Sequence, residues 1–279
     1  MIIILISLVF HAKTQVTPTG SLLWEISGKK LSKPSYIFGT IHIQDRRVFS
    51  FRPVVEEKLK LCEAFAMEML LDEVAQDKLK KAILMVDTTL DQLLSNDDYE
   101  KLDSIFIQKT GISIHLFNST KPFFISSELG DQFITKDMPD HLDIYLLKIA
   151  RENGKKIIGI ETFEEQVETV DKIPLKEQAE MLLKSADDTA DLEIKYNELL
   201  KTYLDADLDK MIELSKDTAL PLQFSKIFVE ERNVRMANRI AKFIRKQSTF
   251  CAFGAAHFGG SNGVIALLRK KGYTVNPVY

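Results

Sequence analysis

The amino-acid sequence predicts an α/β fold with a central mixed β-sheet, formed by strands from both ends of the chain, and a large helical insertion. Short apolar runs rich in β-branched and aromatic residues lie near both ends and before Glu161. Amphipathic stretches with helical spacing occupy residues around 72–140 and 163–247. A chain of 279 residues that is 45% hydrophobic can bury a substantial core. Residues 21–279 are therefore predicted to form a single domain.

The N-terminal stretch MIIILISLVFHA, residues 1–12, is predicted to be a signal peptide or a membrane tether. It is too short for a bilayer-spanning helix, which takes about 20 residues. No Lys or Arg precedes the apolar run, and Phe10 stands where a small residue is expected before cleavage after Ala12. A buried first strand and an uncleaved anchor therefore stay open. The prediction places the protein outside the cytoplasm, as a periplasmic, secreted or membrane-tethered protein.

The next elements are predicted from apolar runs between turn-forming residues. SLLWEISG and SKPSYIFGTIHI predict two strands of a β-hairpin, joined by a turn through residues 28–34. RPVVEEKLKLCE predicts a helix with Pro53 near its start. AFAMEMLL predicts a strand from Ala64 to Leu71 with one carboxylate, Glu68, inside it.

Helix stop signals and further apolar runs define the rest of the chain. Gly111 and Gly154 are predicted to end two helices, and KKIIGIET predicts a strand that ends at Glu161, before a helix that starts at Phe163. Near the C-terminus, STFCAFGAAH, GVIALLRKK and GYTVNPVY predict a βαβ-like unit. Together with the hairpin, these strands complete the predicted sheet.

The two cysteines, Cys62 and Cys251, are predicted to be buried free thiols. A disulfide between them is the alternative. Their spacing is not that of a metal site.

Charge and motif content exclude several classes of function. The formal net charge is −3 and no basic run occurs, so nucleic acid is not an expected partner. The sequence also lacks a Gly-x-Ser-x-Gly elbow, a Walker loop, a dinucleotide fingerprint and a His-Glu-x-x-His motif.

Four strand patterns each deliver one side chain that can bind a metal: His42 in FGTIH, Glu68 in FAMEM, Glu161 in IGIET and His257 in FGAAH. Ligands of open α/β sheets gather at the carboxyl ends of the strands, so these side chains converge if the strands are parallel neighbours. Imidazoles and carboxylates suit a divalent Zn, Mn, Co or Fe ion, which would activate a water for hydrolysis.

Each of these residues has a structural alternative. A strand histidine is usually a hydrogen-bonded core or edge residue, and Glu161 could favour the start of the following helix, with Thr162 as its cap. Arg232, Arg235 and Arg239 share one helix face, which is solvated by default. The functional alternative is that Arg232 holds a site carboxylate or stabilises negative charge. His115 and His141 lack the Gly-x-x-His context and are expected on helix or loop surfaces.

The ordered set of motifs LLWEISG, YIFGTIHIQD, AFAMEML, HLDIYLLKIARENGKKIIGIETFEEQ, VEERNVRMANRI and FGAAHFGGSNGVIALLRKKGYTV resembles the TraB/PrgY/GumN family, which includes the Tiki proteins. The resemblance implies a fold shared with erythromycin esterase and ChaN-like proteins, and an activity like that of divalent-metal proteases that favour manganese or cobalt. By motif, His42 and His257 match the paired histidines, Glu68 and Glu161 the two glutamates, and Arg232 the arginine of Glu-Arg-Asn. His141 departs from the pattern, because a glycine is common there.

These observations predict an exported, divalent-metal-dependent hydrolase, a peptidase, that acts on a peptide or small-molecule substrate. His42, Glu68 and His257 would hold a Mn, Co or Zn ion, while Glu161 would handle the proton and Arg232 would assist it. Two alternatives are a non-catalytic protein that sequesters a peptide or a haem-like ligand, and a hydrolase of small esters.

Overall fold

A computed structural model of the chain describes residues 20–50, 53–71, 74–130, 135–187, 189–216 and 226–279. The predicted signal or tether segment at residues 1–12 lies outside these residues. The structure confirms the predicted mixed α/β fold, with one six-stranded sheet in the order β4-β3-β5-β2-β1-β6. The strands are β1 Leu23–Ser27, β2 Ser35–Thr40, β3 Ala64–Met67, β4 Lys156–Gly159, β5 Thr249–Gly254 and β6 Thr274–Pro277.

Strand direction sets the position of the candidate site. β4, β3, β5 and β2 are parallel neighbours, so their carboxyl ends meet at one edge of the sheet. β1 pairs antiparallel with β2 through the predicted hairpin, and β6 pairs antiparallel with β1. β6 therefore runs parallel to β5, with β2 and β1 between them, which completes the predicted βαβ-like unit.

The described residues contain twelve α-helices. They are α1 Val54–Leu61, α2 Gln76–Ile83, α3 Leu90–Leu93, α4 Asn96–Thr110, α5 Pro122–Gly130, α6 Leu142–Glu152, α7 Phe163–Asp171, α8 Leu175–Asp187, α9 Thr189–Leu204, α10 Leu208–Lys216, α11 Arg232–Phe243 and α12 Val264–Lys270. A π-helical segment, Lys226–Glu231, leads directly into α11.

Helix ends follow local sequence signals. Gly111 ends α4 in the left-handed region at φ 75°, where a residue with a Cβ would be strained. Thr162 caps α7 through a capping box with Glu165, so Thr162 is the cap named in the structural alternative for Glu161. α7 then ends at Asp171 and α8 starts at Leu175, so the helical stretch is interrupted at Pro174.

Three apolar clusters fill the molecule. One face of the sheet packs against α1 and α6 around Phe38 and Phe65, and the other face packs against α11 and α12 around Ile37 and Phe253. The third cluster lies within the helical insertion, where α4 and α5 pack against α8. Cys62 and Cys251 are buried and free, so the disulfide alternative is wrong.

Two predicted strands are shorter than the sequence indicated. β3 ends at Met67 instead of Leu71, and β4 ends at Gly159 instead of Glu161. The N–H of Gly254 on β5 donates to the Glu68 side chain at 3.1 Å. Glu68 therefore follows its strand instead of lying inside it, in the same position as the other three candidate residues.

Candidate metal and active site

The four candidate side chains, three predicted ligands and the predicted proton carrier Glu161, follow the carboxyl ends of the four parallel strands. Along the sheet edge the order is Glu161 after β4, Glu68 after β3, His257 after β5 and His42 after β2. Neighbouring strands lie about 4.8 Å apart, so each residue comes from a strand adjacent to that of the next. Chain segments up to 215 positions apart, from 42 to 257, thus meet at one edge.

Close packing between the two Gly-x-x-His segments depends on Gly39. A Cβ on Gly39 would lie 2.9 Å from the Cβ of Ala255, the residue two positions before His257. Real Cβ atoms do not approach so closely, so only glycine at this position permits the close approach of the two segments. At Gly254 a Cβ would lie 3.5 Å from Glu68 Oε2 and 3.5 Å from His257 Cδ2, which are ordinary contact distances. Glu68 and His257 therefore border the same small space.

Glu161 is fully buried and holds two arginines of α11. Its Oε2 accepts from Arg232 Nε at 2.8 Å and Nη2 at 2.6 Å, and its Oε1 accepts from Arg235 Nε at 3.0 Å and Nη2 at 2.7 Å. Each carboxylate oxygen thus accepts two N–H bonds from one guanidinium, and such charge-assisted hydrogen bonds are stronger than neutral ones. Glu161 does not contribute its charge to the start of α7, which has its own capping box.

Arg232 connects the two glutamates. Its side chain is 12% exposed, and Nη2 donates to Glu68 Oε1 at 2.5 Å as well as to Glu161. The solvated-face interpretation of this helix is therefore wrong for Arg232, and the alternative, that it holds a site carboxylate, describes the structure. Arg239 extends the face by donating to Glu165 and to the carbonyl oxygen of Ile160.

Glu68 is held ionised by its surroundings. Burial by itself would raise its pKa, but the positive charge of a protonated His257, the Arg232 guanidinium and the N–H of Gly254 stabilise the carboxylate and lower the pKa to about 2. Gln166 of α7 adds a further hydrogen bond to Oε1 at 3.2 Å. A permanently charged carboxylate suits a metal ligand better than a proton carrier.

His257 is buried and fixed by one partner. Its Nδ1 lies 2.7 Å from Oδ1 of Asn233, whose Nδ2 donates in turn to the carbonyl oxygen of Asn262. An amide oxygen only accepts, so Nδ1 carries the proton and Nε2 carries the lone pair. Burial lowers the pKa of His257 below its usual value, and this favours the neutral imidazole that metals bind.

His42 lies in a different environment, at the surface. Its side chain is 62% exposed, and Nδ1 lies 2.8 Å from Oδ1 and 2.9 Å from Oδ2 of Asp143 on α6. The His141 ring stacks on it at a centroid distance of 3.9 Å. His141, expected only as a surface residue, is thus part of the environment of His42. A carboxylate at Nδ1 again leaves the lone pair on Nε2.

The chain matches the TraB/PrgY/gumN family over residues 22–277.

The chain belongs to this family. Among curated proteins, it is 25% identical to "Metalloprotease TIKI2" of Danio rerio, covering 91% of this chain and 60% of that protein. It is 25% identical to "Metalloprotease TIKI1" of Homo sapiens over 94% of this chain and 63% of that protein. A "Metalloprotease TIKI homolog" of Amphimedon queenslandica is 24% identical over 96% of this chain and 63% of that protein. The chain thus spans about three-fifths of the length of these relatives. No solved structure matches it.

This TraB/PrgY/gumN chain has the donor chemistry of a metal site, although three ligands are not gathered around one point. Among the described residues, no group of three or more His, Cys, Asp or Glu side chains is arranged to hold an ion. Arg232 contacts both Glu68 and Glu161, and His257 borders the same space as Glu68. His42 instead contacts Asp143 on α6. The two histidines do share one ligand-like feature, an acceptor at Nδ1.

The sequence missed the residues that orient this site. Asn233 and Arg235 hold His257 and Glu161, Gln166 contacts Glu68, and Asp143 contacts His42. The strongest available signal was that Asn233 and Arg235 lie within one turn of the predicted site residue Arg232. Asp143 follows His141 at the start of a predicted helix, where an acidic residue is already explained by the helix dipole.

None of the helices in the described part of the chain is long and apolar enough to cross a membrane.

Proposed function

We propose that this protein is a divalent-metal-dependent peptidase whose site lies at the carboxyl edge of the four parallel strands. The observation that carries the proposal is the order Glu161, Glu68, His257 and His42 along that edge, one residue from each strand. The names of the curated relatives support the metalloprotease class. The peptide substrate and the assignment of individual ligands are part of the proposal.

His42, Glu68 and His257 would hold the ion, which is Mn, Co or Zn in this proposal. A bound divalent ion supplies a Lewis acid and lowers the pKa of its water toward neutrality. Asn233 and Asp143 keep each imidazole in the tautomer with its lone pair on Nε2. Glu68 contributes a carboxylate that stays charged throughout the neutral pH range, because its pKa is about 2.

Arg232 and Glu161 would act as a unit beside the ligands. Glu161 has no exposed side-chain surface and both its oxygens are bound by arginine, so its contacts favour a positioning role over the proton transfer that the sequence predicted. It holds the Arg232 guanidinium against Glu68, where Arg232 could also stabilise negative charge on a substrate oxygen.

Metal stoichiometry and peptide cleavage test the proposal together. We expect the purified protein to bind about one equivalent of Mn, Co or Zn and to cleave members of a peptide library with at least one of them. The double variant His42→Ala/His257→Ala should lose both properties. His115→Ala is the matched control, because His115 is an exposed histidine of the helical insertion, 57% exposed, that contacts Tyr99.

The alternatives give different results in the same assay. Stoichiometric peptide binding without cleavage, or a haem absorbance band, would support a sequestering protein. Ester cleavage that needs no added metal would support an esterase. Undiminished metal binding in the double variant would contradict the ligand assignment.

We also propose that the protein is exported or tethered, with residues 1–12 as the signal or tether segment. N-terminal sequencing of the protein recovered from extracytoplasmic and membrane fractions tests this. Recovery only from the cytoplasm, with Met1 retained, would contradict it.

A further inference from the structure

The end of the sheet opposite the candidate site is strongly basic, although the sequence contains no basic run. Five separate segments, at residues 28–34, 60–63, 153–156, 242–247 and 269–273, meet where β2, β3, β4, β5 and β6 begin. They contain a single carboxylate, Glu63, in a chain with net charge −3. Their cations are Lys29, Lys30, Lys33, Lys60, Lys155, Lys156, Lys242, Arg245, Lys246, Arg269, Lys270 and Lys271.

A pocket of about 350 Å³ lies within this surface, between the β1–β2 turn, the end of α11 and the loop from α12 to β6. No acidic residue lines it. The polar lining consists of Lys29, Lys242, Arg245 and Lys271, with Asn238 and the ring of Tyr273 beside them. Four cations from three separate parts of the chain thus surround one concave space.

The positive charge in this pocket is not compensated within the described residues. Lys29 Nζ donates to the carbonyl oxygen of Lys271 at 2.6 Å, and Lys271 Nζ donates to Asn238 Oδ1 at 2.5 Å. Arg245 Nε donates to the carbonyl oxygen of Ala241 at 3.0 Å. These are neutral acceptors, and no ion pair with a carboxylate is formed by any of the four cations in the described ranges. Their mutual repulsion would be relieved by a bound anion.

Helix dipoles explain only part of this convergence. Cations at the ends of α11 and α12 are favoured by the helix dipole, which accounts for Lys242, Arg245 and Lys271 one by one. Lys29 comes from a β-turn instead. It has φ 46° and Lys30 has φ 60°, a left-handed conformation that is strained for residues other than glycine. This turn keeps Lys29 Nζ 5.3 Å above the Tyr273 ring, at the edge of the pocket.

We propose that this pocket is a binding site for a phosphate-bearing ligand with at least two phosphate groups. Arg245 offers a planar guanidinium that suits phosphate oxygens, and the three lysines supply point charges around it. The pocket volume is within the range of small-ligand sites, and its shape and charge select a compact polyanion. The site lies at the far end of the sheet from His42 and His257, so its occupation is independent of the proposed metal chemistry.

Calorimetric titration with inorganic pyrophosphate tests the proposal on the full chain. We expect one pyrophosphate to bind per chain, more weakly as salt is raised. Lys242→Glu/Arg245→Glu should weaken binding by about tenfold or more, since each lost hydrogen bond to a charged group contributes about that factor. Lys80→Glu/Lys81→Glu on α2 makes the same charge change at two exposed lysines and should leave binding unchanged. His42→Ala/His257→Ala should also still bind.

A second arm separates a soluble ligand from a lipid headgroup. Co-sedimentation with vesicles that contain phosphatidylinositol 4-phosphate, whose headgroup carries two phosphates, shows with and without pyrophosphate whether the two compete. Competition supports a lipid headgroup as the ligand of the pocket, and vesicle binding that pyrophosphate does not affect supports a soluble ligand. No pyrophosphate binding at low salt, or equal weakening by the α2 control variant, would each overturn the proposal. Unchanged thermal unfolding of the variants excludes misfolding as the cause.

Discussion

Around His257 the candidate site is buried and tied together, whereas around His42 it lies at the surface. His257 is 6% exposed and contacts Asn233, and it borders the same space as Glu68, which Arg232 joins to Glu161. The His42 side chain is 62% exposed and contacts Asp143 and His141 at the start of α6. We call the first group the buried half and the second, His42 with His141 and Asp143, the exposed half.

The difference indicates which half can rearrange. Moving any charge of the buried half would leave another charge buried without its partner, which is costly. The exposed half can exchange its contacts for water at little cost. Because three ligands are not gathered in the described structure, closure of the site would come from movement of the exposed half toward a fixed buried half.

The largest effect is expected from Glu161→Ala. The substitution leaves Arg232 and Arg235 without their carboxylate in a buried position, so the free energy of unfolding should fall by about 3–5 kcal/mol. Urea denaturation measures it. Glu164→Ala is the matched control, because Glu164 is 56% exposed and pairs with an exposed lysine, and it should change stability far less than Glu161→Ala does. Equal effects of the two substitutions would contradict the inference that the buried half is held rigid by its charges.

A second prediction concerns the loss of stability at acid pH and the ion pair between Arg239 and Glu165. Hydrogen bonds from Arg239 lower the pKa of Glu165 from 4.5 to about 2. This carboxylate therefore stabilises the folded state above pH 4.5, and the contribution is lost as the pH falls toward 2. Its full value is about 2 kcal/mol, since the side chain is partly exposed.

Glu165→Gln isolates this effect because glutamine preserves the capping box of α7. Between about pH 6 and pH 3, the wild type should lose more unfolding free energy than the variant. Glu68 titrates in the same range in both proteins and cancels in the comparison. Parallel pH profiles would show that the pair with Arg239 does not contribute.

The sequence predicted the strand-end residues of both halves, but not the helix residues that contact them, for a physical reason. Apolar runs that end in His42, Glu68, Glu161 or His257 were sufficient to predict the strands and the common edge, because strand patterns are local. The ends of β3 and β4 were placed too late, because the apolar runs continue beyond the last paired residues, Met67 and Gly159. Asn233 and Asp143 come from helices that meet the sheet only after folding. No local sequence pattern determines the contacts of these two residues with His257 and His42.

A third prediction separates the halves through metal affinity. In the proposed site, Asn233→Ala removes the acceptor that orients His257 and should weaken metal binding by about 10–100-fold. Asp143→Ala should weaken it less, because water can replace a carboxylate beside the exposed His42. Asn238→Ala, on the exposed side of the same helix, is the control. Metal titration followed by calorimetry gives the three affinities. A larger loss for Asp143→Ala would reverse the assignment of rigid and mobile halves.

The smallest effect is expected from His141→Ala, which removes the ring stacked on His42 at 3.9 Å. Stacked rings contribute about 0.5–1.5 kcal/mol when buried, and here His42 is exposed, so stability should fall by less than about 1 kcal/mol. If the exposed half moves when metal binds, the stack resists that movement, and its removal should leave metal affinity equal or higher. Reduced affinity in a stably folded His141→Ala protein would instead mean that the stack holds His42 in its binding position. The exposed half would then be fixed by ring packing, as firmly as the buried half is fixed by charge.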